Sequence, residues 1–85
     1  MNWKIYATNR AEKQLKKLPK SDAERIEETI DAMALNPFSG DIEKLSGEDN
    51  AWRRRVGSYR ILYEVNITKK IAYIIDIKRR TSSTY

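Results

Sequence analysis

Cysteine and histidine are both missing from this chain of 85 residues. Without cysteine there are no disulfides, no thiolate nucleophiles and no Cys-based zinc sites, and the lack of histidine points further away from metal catalysis. No metal and no cofactor is therefore expected. Three glycines and two prolines are too few for a disordered or linker-rich chain. No long apolar stretch occurs either. The longest run, Ile71 to Ile75, is far too short to cross a bilayer, and the start at Met1-Asn2-Trp3-Lys4 lacks the apolar core of a secretory signal. The expectation is no membrane association and a cytoplasmic location. Acidic residues are scarce in one part of the chain only. Residues 1–51 hold eight Lys/Arg and ten Asp/Glu, net −2, whereas residues 52–85 hold nine and two, net +7, which together give the +5 of the whole.

That uneven charge is an electrostatic footprint for a polyanion, whose counterions are released as Lys and Arg neutralise phosphates. The plainer alternative is a solvated basic surface. Hydrophobic residues at 40% and charged residues at 34% are ordinary for a folded protein, and the length fits a single domain, 1–85.

Along the chain, Trp3 to Ala7 alternates large and polar side chains and reads as a first strand, after which Thr8 or Asn9 offers a helix cap. Ala11, Leu15 and Leu18 recur at helical spacing up to Pro19. Ser21-Asp22-Ala23-Glu24 has capping-box spacing, and Ala23, Ile26, Ile30 and Met33 continue a second helix to Asn36-Pro37. The short gap predicts a helical hairpin. Phe38 to Ala51 reads as a polar loop with a short extended piece around Leu45. Trp52 to Val56, Tyr59 to Val65 and Ile71 to Lys78 are β-rich and separated by hairpin-length gaps, predicting three antiparallel strands. The expected fold is α+β, in the order β-α-α-β-β-β, with the hairpin covering one face of an antiparallel sheet and the other face left free.

Strand alternation separates the arginines. If Trp52, Arg54 and Val56 share one face, Arg53 and Arg55 share the other. In the next strand Tyr59, Ile61, Tyr63 and Val65 look like core, so Arg60 projects from the open face beside Arg53 or Arg55. Like charges this close cost stability unless an anion sits among them, and guanidinium forks match phosphate oxygens. A charge-guarded edge strand is the plainer reading of Arg53-Arg54-Arg55, and Glu64 is the nearest same-face partner for Arg60. On composition alone, Lys78 to Tyr85 reads as a frayed basic tail.

The run Glu43-Lys44-Leu45-Ser46-Gly47, followed by Trp52-Arg53-Arg54-Arg55-Val56-Gly57-Ser58-Tyr59-Arg60-Ile61-Leu62-Tyr63-Glu64-Val65, resembles the RelE/ParE superfamily of type II toxins. The resemblance spans nearly the whole chain and implies the same β-α-α-β-β-β fold. It implies metal-independent cutting of mRNA, usually in the ribosomal A site, and a cognate antitoxin that masks the basic residues. Carried across, it places Arg53 and Arg55 at catalytic basic positions and Arg60 at the arginine that stabilises the scissile phosphate. Arg79 or Arg80 matches a C-terminal arginine, and Tyr85 a catalytic terminal-region tyrosine that stacks on a base and helps orient the attacking group. Lys44, Arg54, Lys78 and Arg80 are expected to add RNA contacts.

One departure bears on mechanism. Where some relatives carry lysines this chain has arginines, and about one arginine in 10⁵ or fewer is deprotonated at neutral pH, against about one lysine in 10³. Arginine is a poor proton acceptor. Relatives of the YoeB kind use a glutamate before the Lys-Leu segment and a C-terminal histidine; Glu43 matches the former, and the latter is missing. The expectation is that Arg53, Arg55, Arg60 and Arg79 clamp the phosphate, with Glu43 the base if a side chain serves. Two alternatives stay open: a ParE-like gyrase poison, and a binding module with a decayed site.

Overall fold

The structure, a computed structural model, describes residues 3–47 and 50–79. The elements are β1 (Lys4–Ala7), α1 (Asn9–Lys16), α2 (Lys20–Leu35), β2 (Ile42–Lys44), β3 (Ala51–Val56), β4 (Tyr59–Asn66) and β5 (Ile71–Arg79). The strands form one sheet in the order β1-β5-β4-β3-β2.

Local chemistry accounts for most boundaries. Thr8 caps α1, its Oγ1 accepting from Ala11 N–H at 3.2 Å. Pro19 takes the N-cap position of α2, so the expected capping box does not form and no side chain caps that helix. Asn36 ends α2 in extended backbone, and its Oδ1 accepts from Phe38 N–H at 2.9 Å, closing the turn that leads to Pro37.

The sheet departs from expectation in two ways. It is mixed rather than antiparallel, because β1 runs parallel to β5. Hairpins force β3, β4 and β5 to alternate direction, but β1 reaches the sheet through a helical crossover, which permits parallel pairing. A further strand, β2, lies within the polar segment just before Leu45, around which a short extended piece is expected, and pairs antiparallel with β3.

Both helices pack on one sheet face. Tyr63, Ile26, Met33, Ile61, Ile74 and Pro37 are the largest fully buried residues, joining α2 to the central strands. Two buried tyrosines tie the layers together: Tyr63 donates its hydroxyl to Pro37 O at 2.6 Å and Tyr59 to Asp22 Oδ2 at 2.8 Å. Burial pushes the Tyr63 hydroxyl up to about 12, so it stays a donor at any physiological pH. Each such bond contributes about 1 kcal/mol and locks β4 against the helical layer. Rigid β4 thereby fixes what stands on its other side.

Candidate nucleic-acid interface

Because Tyr59, Ile61, Tyr63 and Val65 are buried beneath the helices, Arg60, Leu62 and Glu64 stand on the opposite face of β4. The register extends this across the sheet. Arg55 of β3 lies directly opposite Arg60, and Lys78 of β5 lies opposite it on the other side. Cross-strand neighbours have Cβ atoms about 5 Å apart, so three cations form one row. The adjacent row holds Glu43, Arg53, Leu62 and Asp76. Among the described residues Arg60 forms no ion pair, and its Nε is shut off from solvent without a hydrogen-bond partner. Glu64, the partner that the sequence offered, does not pair with it.

The cations around Arg60 are held by carboxylates. Glu43 accepts from Arg53 Nη2, and Asp41 Oδ2 lies 3.3 Å from Arg55 Nε. The hydrogen bond and charge of Arg53, with Arg55 and Arg60 behind it, hold the Glu43 carboxyl below its ordinary value. Glu43 is thus ionised at neutral pH and a weak proton acceptor. Its geometry suits it to aiming Arg53.

Lys78 owes its place to a β-bulge. Along β5 the register shifts between Leu62 and Tyr63, so that Tyr63 opposes Ile74 and Leu62 opposes Asp76, leaving Ile75 unpaired. Uninterrupted alternation from Tyr73 would put Arg79 on the cation face; the extra residue flips the pattern and puts Lys78 there instead. Arg79 falls opposite Tyr59, on the helix-facing side. Thr8 holds the bulge, its N–H donating to Ile74 O at 3.0 Å and its hydroxyl to Ile75 O at 3.2 Å. Next to it, Gln14 of α1 acts as a substitute strand: its Nε2 donates to Asp76 Oδ1 at 2.5 Å and its Oε1 accepts from Ile77 N–H at 2.7 Å. Asp76 is buried, and its Oδ2 lies 3.4 Å from Lys78 Nζ, which ties the ammonium beside Arg60.

A family model described as the ParE toxin of the type II toxin–antitoxin system parDE matches residues 5–83. The chain is 34% identical over 83 residues to a protein assigned as toxin RelE1 of Methanocaldococcus jannaschii, covering 94% of this chain and 92% of that protein. The chain belongs to the RelE/ParE superfamily of type II toxins. Its fold superposes on RelE in the crystal structure of the archaeal RelE–RelB complex from Pyrococcus horikoshii, with TM-score 0.84 and 30% identity, covering 98% of this chain and all of that one. The RelB–RelE antitoxin–toxin complex from Methanococcus jannaschii gives TM-score 0.63 at 32% identity, covering 88% of this chain and 89% of that one.

Against that RelE/ParE frame, the residues anticipated from sequence divide into groups. Arg53, Arg55, Arg60 and Glu43 come together on the open face, and Lys78 joins them. Arg79 does not, because of the bulge. Arg54 and Lys44 lie on the other face. Arg54 donates from Nη1 to Ser39 O at 3.1 Å, packs at Gly40 and fastens the loop before β2. Lys44 pairs with Trp52 in register and sits 5.9 Å from its ring centroid. Arg80 and Tyr85 lie outside the described residues. Gln14 and Asp76 were not anticipated; a lone acid between apolar residues in Ile74-Ile75-Asp76-Ile77 was the available signal.

Proposed function

We propose that this toxin is a RelE-type endoribonuclease that cuts mRNA in the ribosomal A site, with Arg55, Arg60 and Lys78 gripping the scissile phosphate and Arg53, aimed by Glu43, beside them. The observation that carries this reading is the cross-strand row of like charges around Arg60, which has no partner of its own among the described residues. An arrangement that repels itself is favourable once an anion enters it.

RNA self-cleavage needs the 2′-hydroxyl proton removed, the phosphorane charge stabilised and the 5′-oxygen protonated. The row supplies the middle requirement. Preorganised cations lower the barrier without taking a proton, so the phosphate clamp carries the catalysis and positioning of the message by the ribosome supplies much of the remainder. Lys78, an ammonium aimed by Asp76 and placed next to Arg60, is suited to donating a proton to the leaving oxygen. Lys78 takes the place in the row that the resemblance offered to Arg79; the resemblance alone gives Arg80 the role of the C-terminal arginine and Tyr85 that of stacking on a base and orienting the attacking group.

A cognate antitoxin is the second partner. The relatives solved as RelE–RelB complexes support it, and charge complementarity calls for an acidic antitoxin surface where it covers this face. The ParE description of the matching family model favours one other reading, a gyrase poison. Incubation of the purified protein with ribosomes carrying a defined message separates the two. Cuts within A-site codons are the expected result; an intact message together with blocked gyrase supercoiling would replace this reading with the ParE one.

A further inference from the structure

The cation row does not occupy the whole open face. At the other end of the sheet Tyr6 of β1 and Tyr73 of β5 are cross-strand partners whose rings lie stacked, 6.0 Å between centroids and 25° between planes. Both are solvent-exposed, Tyr6 at 49% and Tyr73 at 39%, in a chain whose remaining described tyrosines, Tyr59 and Tyr63, are buried. Tyr73 stands opposite Glu64, so the pair shares the face of Arg60, four residues away along β4 and about 13 Å distant at strand rise. Half-buried Leu62 is the residue between them on that face.

We propose that Tyr6 and Tyr73 form a stacking platform for an unpaired base of the RNA whose phosphate the cation row holds, an inference that rests on the proposed RNA-cutting function. Tyrosine rings on an open surface suit single-stranded nucleic acid because every base has a π-face. The chemistry around the rings also fits a base rather than an apolar peptide. Asn50, Glu64 and Asn66 line a pocket against Tyr73, offering amide and carboxylate groups to a base edge, and the Asn66 Oδ1 is already occupied by Lys69 N–H at 3.0 Å, which leaves its amide donors. Lys4 lies two residues before Tyr6 on the same side of β1, exposed, where it meets a backbone phosphate beyond the stacked base. Cations at one end and rings at the other thus match the alternation of phosphate and base along one strand of RNA.

The plainer role for the pair is to hold edge strand β1 in place. Fluorescence anisotropy at low ionic strength, using a single-stranded RNA oligonucleotide and an abasic oligonucleotide of equal length, separates the two. The double variant Tyr6→Leu/Tyr73→Leu keeps the apolar area and loses the rings. It should bind the intact oligonucleotide about tenfold more weakly than wild type, and the abasic one with unchanged affinity. Tyr6→Phe/Tyr73→Phe should keep wild-type affinity for both. Thermal unfolding monitors folding of each variant. If the leucine variant stays folded and binds the intact oligonucleotide as wild type does, the platform is overturned, and an accompanying loss of antitoxin binding would assign the rings to that protein instead. A wild type that prefers abasic and intact oligonucleotides equally overturns it too. Failure of the underlying reading looks different: binding insensitive to Arg60→Ala, or no binding to either oligonucleotide.

Discussion

Replacing Arg60 by methionine should stabilise the fold while removing most of the activity. Arg60 faces Arg55 and Lys78 directly across two strand pairings. Like charges in such positions destabilise by about 0.2–1 kcal/mol per pair. Its shielded Nε, without a partner among the described residues, adds a desolvation cost of about 1 kcal/mol at this half-buried site. Methionine keeps the apolar stem and removes both penalties, about 1.4–3 kcal/mol together; Asp41 on Arg55, Asp76 on Lys78 and the lost attraction of Glu43 offset part of this, leaving a net gain of about 1 kcal/mol, which raises Tm by roughly 4–8 °C in a domain of this size. The gain should shrink in 1 M salt, where the Debye length is about 3 Å against about 10 Å at 0.1 M. Cutting of ribosome-bound message should fall by about 10² to 10³ in turnover, the usual consequence of losing one preorganised donor. Circular dichroism melts at both salt concentrations and a single-turnover cleavage assay provide the readouts. A drop in Tm of several degrees would refute the reasoning, because it would mean that the folded protein itself satisfies Arg60.

Four further outcomes follow from the geometry. Glu43→Gln should leave turnover within about tenfold of wild type, whereas loss of a general base typically costs about 10² to 10⁴. In the unmodified protein the Glu43 carboxyl should titrate below 4.5 by NMR and move upward in Arg53→Met; with its folded pKa depressed, the pair's stabilisation is present at neutral pH and disappears as pH falls through that lowered value. Tyr63→Phe leaves Pro37 O unpaired inside the core and should cost about 1 kcal/mol in urea unfolding, with cutting retained. Gly40→Ala should destabilise more than Gly47→Ala: both residues have positive φ, 85° and 79°, but a Cβ at Gly40 would come within 2.5 Å of the Arg54 guanidinium carbon, whereas at Gly47 it meets no described neighbour. Equal losses in chemical denaturation would show that Arg54 moves freely and does not hold the loop.

Strand alternation made the core of the site readable from sequence. Tyr59-Arg60-Ile61-Leu62-Tyr63 sorts itself into a buried and an open set, and the short turn at Gly57-Ser58 fixes Arg55 opposite Arg60. The same alternation groups Arg54 with Trp52 apart from Arg53 and Arg55, and the pairing with Ile61 and Tyr63 puts that group on the helix side, away from the RNA face expected for Arg54. What stayed hidden depends on long-range pairing. The direction of β1 is set by contacts with β5, more than sixty residues away in sequence, and β2 is a three-residue strand, stabilised by β3 more than by its own propensity. The exchange of Arg79 for Lys78 rests on one unpaired residue, Ile75, in an all-apolar run that carries no glycine or proline to mark a bulge.

The salt dependence of RNA affinity reads most directly which cations touch phosphate. Each phosphate contact to a single strand contributes about −0.7 to the slope of log K against log salt concentration. Arg55→Ala, Arg60→Ala and Lys78→Ala should each make the slope shallower by about that amount, while Arg54→Ala and Arg79→Ala leave it unchanged. Equal flattening by all five substitutions would mean that RNA meets a diffuse basic surface, and the ordered row on the sheet would lose its role.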